Sequence, residues 1–266
     1  MDRWKVVDNI RKYVLLPLAV GVLGYSLYLS ACIMFPLWQS RNSEEYARKN
    51  LENRIQLQEE KLGIKHFGVP NLGFNDEYLS ATGGTYDAET DSIIIEVNNT
   101  KTTYSEFNRW IEKHLEFEAM HVDEVLDHEL GHFYMDKLSE SLTGTNFPDY
   151  AALETELSDS LSQKEADSEQ WANYMATKFV SEGVAEYFRY ETNPYAEKPD
   201  TFCFGDTITE HELVYEIGYW TVKLVIDKHG REGIIYMMNN LPYEFELFCP
   251  PCYKERILDD IERTEK

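Results

Sequence analysis

The chain has 266 residues, 43% of them apolar, with 18 Tyr, 13 Phe and 5 Trp, which suffices for one globular domain with a packed core plus an extra segment. A formal net charge of −23 and the lack of any basic stripe in the sequence argue against nucleic-acid binding, which needs clustered Lys and Arg against phosphate. No internal repeat or low-complexity tract appears in the sequence.

A short tail, residues 1–13, leads into Val14 to Trp38, 25 positions without a charge. About 20 residues cross a hydrocarbon core, so residues 14–38 are predicted to be a single transmembrane helix, with room for tilt. Basic residues flank both ends: Arg3, Lys5, Arg11 and Lys12 before, and Arg41, Arg48, Lys49 and Arg54 after. Glu44, Glu45 and Glu52 make the later flank less positive, which favours a cytoplasmic amino terminus and an extracytoplasmic domain. A rival reading is lipoprotein anchoring at Cys32, because Leu29 to Cys32 resembles a bacterial lipobox. The apolar run continues past that cysteine, however, where a lipoprotein usually turns polar. Either reading tethers the protein to a membrane.

Residues 39–62 are rich in helix formers, with a start signal at Asn42 to Glu45 and a stop at Gly63, and are expected to form an amphipathic stem. Residues 63–266 then make up the main domain. A turn-rich stretch precedes "DSIIIEVNN", whose three consecutive isoleucines between Asp and Asn predict a strand. Residues 105–142 are predicted to hold two helices, followed by a loop at "LTGTNFPDY". Further helices are expected over about 164–191 and 208–229.

The second helix of the 105–142 pair contains His128-Glu129-Leu130-Gly131-His132. Positions four apart share a helix face, so the two imidazoles can meet at one Zn²⁺ ion while Glu129 reaches its water. Val125, Leu126, Leu130, Gly131 and Phe133 are uncharged, as a helix buried on several sides requires. Catalytic zinc normally takes a third protein ligand and keeps an open position. Glu182 and Glu186, again four apart, supply candidates. They stand among Val180, Val184, Ala185, Tyr187 and Phe188, where two acids are costly unless a cation compensates them.

"VLDHELGHF" followed by "SEGVAEYF" resembles the gluzincin branch of the zincin metallopeptidases. The resemblance implies an α+β zincin-like domain, a small sheet with an edge strand beside active-site helices, here behind the membrane helix. It implies Zn²⁺ held by His128, His132 and Glu182, with Glu186 hydrogen-bonding a histidine ligand. Glu129 then acts as general base and acid in hydrolysing a peptide or protein substrate. In aminopeptidase-like members a Tyr-x-x-Gly helix follows, and Tyr215 with Gly218 matches it. By that match Tyr215 donates to the oxyanion. His211 and Tyr219 share its helix face, but His211 is expected to be solvated and Tyr219 to be core. The likeness also suggests that Ile93 to Val97 forms the edge strand to which substrate adds, with a plain core strand as the equal alternative. Forty-nine residues separate His132 from Glu182, more than in the thermolysin-like and aminopeptidase members. Two alternatives are a catalytically silent relative or other zinc hydrolase, and a membrane-anchored binding or assembly protein with incidental histidines. Glu129 argues against the silent form, since binding alone does not need it.

Four cysteines are scattered along the chain. Cys32 lies in the apolar run. A single C-x-x-C at Cys249 and Cys252 is weak for structural zinc, and no predicted strand leads into a helix there as a thioredoxin-like motif needs. In an oxidising compartment Cys203 could bond Cys249 or Cys252, leaving one thiol over. Asn98 is a candidate glycan acceptor in "NNT".

Overall fold

The structure, a computed structural model, describes residues 42–64, 66–75, 83–97, 100–102, 120–148, 153, 168–194, 196–199 and 208–264. The apolar run 14–38, Asn98, Cys32 and Cys203 lie outside the described residues. Among the described residues, no helix is long and apolar enough to cross a membrane. The fold is α+β and mostly helical, with a small sheet.

Residues 42–62 form helix α1. Strands β1 (Asn71–Asn75), β2 (Gly84–Asp87) and β3 (Ser92–Glu96) make a three-stranded sheet in the order β1-β3-β2. β1 runs parallel to β3, with Leu72 opposite Ile93 and Phe74 opposite Ile95. β2 runs antiparallel, with Tyr86 opposite Ile93. Ile93 and Ile95 point into the core and are fully buried, while Ile94 between them is half-buried, as the two-residue pleat dictates. β3 is therefore the central strand, and the edge-strand role suggested for Ile93–Val97 is overturned: both its backbone edges are already paired. The edge facing the site belongs to β2. Two short strands, β4 (Thr100–Lys101) and β5 (Met120–His121), pair in parallel apart from this sheet.

Helix α2 (Val122–Thr143) runs through the middle of the domain. His121 caps it by accepting the Asp123 amide at 3.1 Å, acids occupy its first turn, and Gly144 ends it at a φ of 74°. Most of its residues are buried, several of them acidic, and each of those acids has a partner on another element. On the α1 side, Arg54 and Gln58 both donate to the fully buried Asp127, at 2.8 and 2.9 Å for their shortest described contacts with Oδ1. Leu51, Ile55 and Leu62 of α1 join the core. The expected stem is thus packed into the domain as an integral helix.

Helix α3 (Ser168–Thr192) crosses α2, followed by a π-helical turn (Glu212–Ile217) that continues into α4 (Gly218–Asn239). Two glycine contacts set these crossings. A Cβ on Gly131 would lie 2.6 Å from Ala185 Cα, so α2 and α3 touch backbone to backbone between the two histidines. A Cβ on Gly183 would meet the Gly218 carbonyl carbon and oxygen at 2.9 Å, which brings the π turn equally close to α3. α4 outruns the expected end near residue 229, because Gly230, at a φ of 57°, kinks the helix without ending it. Short α5 (Glu244–Leu247) and α6 (Pro250–Thr264) close the domain, joined by an ion pair from Arg256 to Glu246 and by buried Leu247, Tyr253, Ile257 and Ile261.

Candidate metal centre

The crossing at Gly131 and Ala185 places Glu182 and Glu186, one turn apart on α3, over the two histidines of α2. His128 and His132 turn their Nε2 atoms towards each other, 3.3 Å apart. Oε2 of Glu182 lies 3.2 Å from His128 Nε2 and 3.7 Å from His132 Nε2. Each histidine's other nitrogen is engaged away from this point. His128 Nδ1 meets Glu186 Oε1 at 3.0 Å, and His132 Nδ1 meets Ser181 Oγ at 3.0 Å. Such contacts fix the ring orientation and the tautomer.

This donor set fits a metal ion. Ligands placed tetrahedrally about 2.0–2.1 Å from one zinc would stand about 3.3 Å from each other. The three ligand atoms are spaced close to that, and all lie within 4.8 Å of one another. Charge supports the same fit, because Glu129, Glu182 and Glu186 are all buried at one spot. Burial alone would strip the proton from His128, yet hydrogen bonds to Glu182 and Glu186 outweigh it and hold the imidazole protonated well above its ordinary range. A cluster that keeps a proton in this way is short of positive charge.

Glu129 sits beside the cluster, 5% exposed. Burial pushes its carboxyl up to about 7, with His128 pulling the other way. The Tyr86 amide of β2 donates to it. Burial would also raise Glu186, but His128 and Arg189 hold it below the ordinary carboxylate range. Arg189 in turn binds Glu186 at 3.2 Å and Glu124 at 2.8 Å, and so ties the orienting carboxylate to the start of α2.

Tyr215 projects from the π turn and hydrogen-bonds Glu182; burial, then the nearby carboxylates, raise its hydroxyl well above the usual phenol range. His211 lies at the exposed rim of the same cleft, its ring centroid 4.7 Å from that of Tyr215. Tyr219 is fully buried and donates to Glu191 at 2.8 Å, a core position as expected. The cleft holds about 880 Å³. The β2 segment from Gly83 to Asp87 forms one wall, and Met135, Phe147 and Pro148 give it an apolar lining.

The structure therefore brings together all six residues expected at the site: His128, Glu129, His132, Glu182, Glu186 and Tyr215. Ser181, Arg189 and the Tyr86 amide were not anticipated. None of the three carries a signal in the sequence, because each acts through a partner on another element. The cysteines differ from expectation too: Cys249 bonds Cys252, so neither pairs with Cys203. Three residues of sequence separation on a helix start allow that bridge, which spacing alone could not choose. No protein-family model, characterised protein or solved structure matches this chain.

Proposed function

We propose that the protein is a membrane-tethered zinc metallopeptidase with a zincin-like domain. The observation that carries this reading is the convergence of two Nε2 atoms and one carboxylate oxygen at zinc-ligand spacing, with a buried carboxylate, Glu129, beside them. His128, His132 and Glu182 would hold the ion. A zinc ion there supplies a Lewis acid and brings the pKa of its water towards about 7.

The chain's own residues do the rest. Glu129, with a carboxyl near 7, is poised to take a proton from the attacking water and return it to the leaving amine. Its burial keeps that proton from bulk solvent during the transfer. Tyr215 remains a phenol throughout the neutral range and can donate to the oxyanion that develops on the scissile carbonyl. Glu186 and Ser181 orient the imidazoles, and Arg189 keeps Glu186 charged. A peptide is the substrate favoured by a cleft of about 880 Å³ that has the β2 segment as one wall and an apolar lining. The tether rests on the uncharged run from Val14 to Trp38, and the flanking charges favour an extracytoplasmic domain.

A peptide-library digest with purified protein tests the reading. Cleavage should disappear on adding a chelator and return with zinc, and Glu129→Gln should abolish it while zinc stays bound. Full cleavage by Glu129→Gln would sink the mechanism.

A further inference from the structure

The disulfide between Cys249 and Cys252 lies apart from the metal centre and has little to do for the fold. It closes a loop of only four residues, the kind from which a crosslink gains least. The turn it spans is already held by backbone bonds, from the Cys252 and Tyr253 amides to the Cys249 carbonyl at 2.7 and 3.4 Å. α5 and α6 are also joined independently, by Arg256 to Glu246 and by the buried Leu247, Tyr253 and Ile257. No distant element is tied down by this bond.

Its setting suits thiol chemistry instead. Cys249 immediately precedes the 15-residue helix α6, and Cys252 is in its first turn. The positive end of a helix favours a thiolate and makes it a better leaving group. A chain with 48 acidic residues places none in that first turn, so a thiolate there would meet no competing anion within it. Both cysteines are half-buried rather than sealed in. Phe248, next to Cys249, is 71% exposed, and Tyr243 and Phe245 of the same corner are also exposed. Pro251, between the two cysteines, is exposed as well, so an incoming thiol has access to the pair, and attack at Cys249 is favoured because it leaves the departing thiolate on Cys252, inside the first turn of the helix.

We propose that Cys249 and Cys252 are a redox-active pair that exchanges with thiols while the domain stays folded. A thiolate of the reductant attacks Sγ of Cys249, forming a mixed disulfide as the Cys249–Cys252 bond breaks. Cys252 leaves as a thiolate at the start of α6 and takes up a proton. A second thiolate, from the same dithiol or another monothiol, attacks the reductant's sulfur in the mixed disulfide and releases Cys249, which is protonated in turn. Two thiols are thereby oxidised to one disulfide, and the pair gains two electrons and two protons. Re-oxidation reverses these steps. This inference is independent of the metal centre.

The test uses the full-length chain in detergent with Cys32→Ser and Cys203→Ser, so that only the pair responds. It is incubated without denaturant with dithiothreitol or with reduced glutathione, quenched in acid, alkylated and weighed by mass spectrometry. The pair should open within minutes in dithiothreitol, with near-UV circular dichroism and melting temperature almost unchanged. The single-cysteine variants are incubated instead with oxidised glutathione, whose disulfide the remaining thiolate attacks with release of one reduced glutathione. The adduct should accumulate on Cys249 in the Cys252→Ser variant, and much less on Cys252 in the Cys249→Ser variant. Opening of the intact pair by glutathione points to a monothiol partner, and opening by dithiothreitol alone to a dithiol protein. A pair that stays closed until denaturant is added, or whose reduction collapses the tertiary signal, is a structural brace and overturns the proposal. Equal adducts on both variants overturn the assignment of Cys249 as the attacked sulfur.

Discussion

Replacing Gly131 with Ala puts a methyl group where the backbone of α3 already stands. The new Cβ would lie 2.6 Å from Ala185 Cα and 3.2 Å from the Phe188 ring. A backbone atom cannot swing aside like the end of a flexible side chain, so α2 and α3 must part by roughly 1 Å to restore ordinary contact. Two effects on stability oppose each other. Alanine in a helix interior gains about 1 kcal/mol over glycine, while overpacking costs about 1–3 kcal/mol. The net destabilisation is therefore modest. The effect on the metal centre is not, because His128 and His132 ride on α2 while Glu182 rides on α3. Ligand distances tolerate only about 0.2 Å, so a 1 Å separation removes the carboxylate from coordination range. Zinc affinity should fall by at least the roughly 10–100-fold that follows loss of a supporting hydrogen bond. Competition against a chromogenic chelator measures the affinity, and melting in excess chelator measures the apo-protein alongside it. Wild-type zinc affinity combined with a raised apo melting temperature would show that the helices do not need this contact, and would refute the reasoning. Gly183→Ala is the contrast: its Cβ meets the Gly218 carbonyl at 2.9 Å, so it should displace Tyr215, keep zinc and lower kcat.

Tyr215→Phe should leave zinc content and fold intact, change KM little and lower kcat by about 10²–10³-fold. Near-normal activity in that variant, with His211→Ala crippled, would move the oxyanion role to His211. Glu191 is a pH probe remote from the ligands: burial would raise its carboxyl, but Lys198, Tyr219 and Lys223 outweigh that and depress it to about 2. A depressed carboxylate stabilises the fold above its unfolded value near 4.5, and this contribution is lost as pH falls from there towards 2. Glu191→Gln should therefore be less stable at neutral pH and show a flatter acid-unfolding curve across that window. An unchanged curve would contradict the pairing. For topology, a cysteine introduced on the exposed surface of the domain should react with an impermeant reagent on intact cells. Protection until lysis would place the domain in the cytoplasm.

The parts of the site that the sequence revealed are those governed by local periodicity. His128 and His132 share a face because of helical spacing alone. Glu182 and Glu186 were visible because charged residues inside an apolar helix require a partner. Gly218 stands in the Tyr-x-x-Gly match, and its close contact with Gly183 is what a residue without a side chain permits there. What stayed hidden depends on tertiary pairing. "SIIIE" specifies a buried strand but not how many neighbours it has, so the central position of β3 was open. Ser181 contacts His132 across 49 sequence positions, and one serine among many carries no mark of that. Arg54 looked like a flanking charge of the apolar run, whereas it pairs with the buried Asp127. Arg189 drew no attention in the sequence, because its partner Glu124 lies on α2, 65 positions away.

The central claim is that His128, His132 and Glu182 form one zinc centre. Its most direct test is the metal content of purified full-length protein and of Glu182→Ala, by mass spectrometry after dialysis against metal-free buffer. Zinc equimolar with the chain in the wild type, and its loss in Glu182→Ala, is the expected result. A wild type that cannot be loaded with zinc, or a Glu182→Ala that keeps it in full, would contradict the assignment.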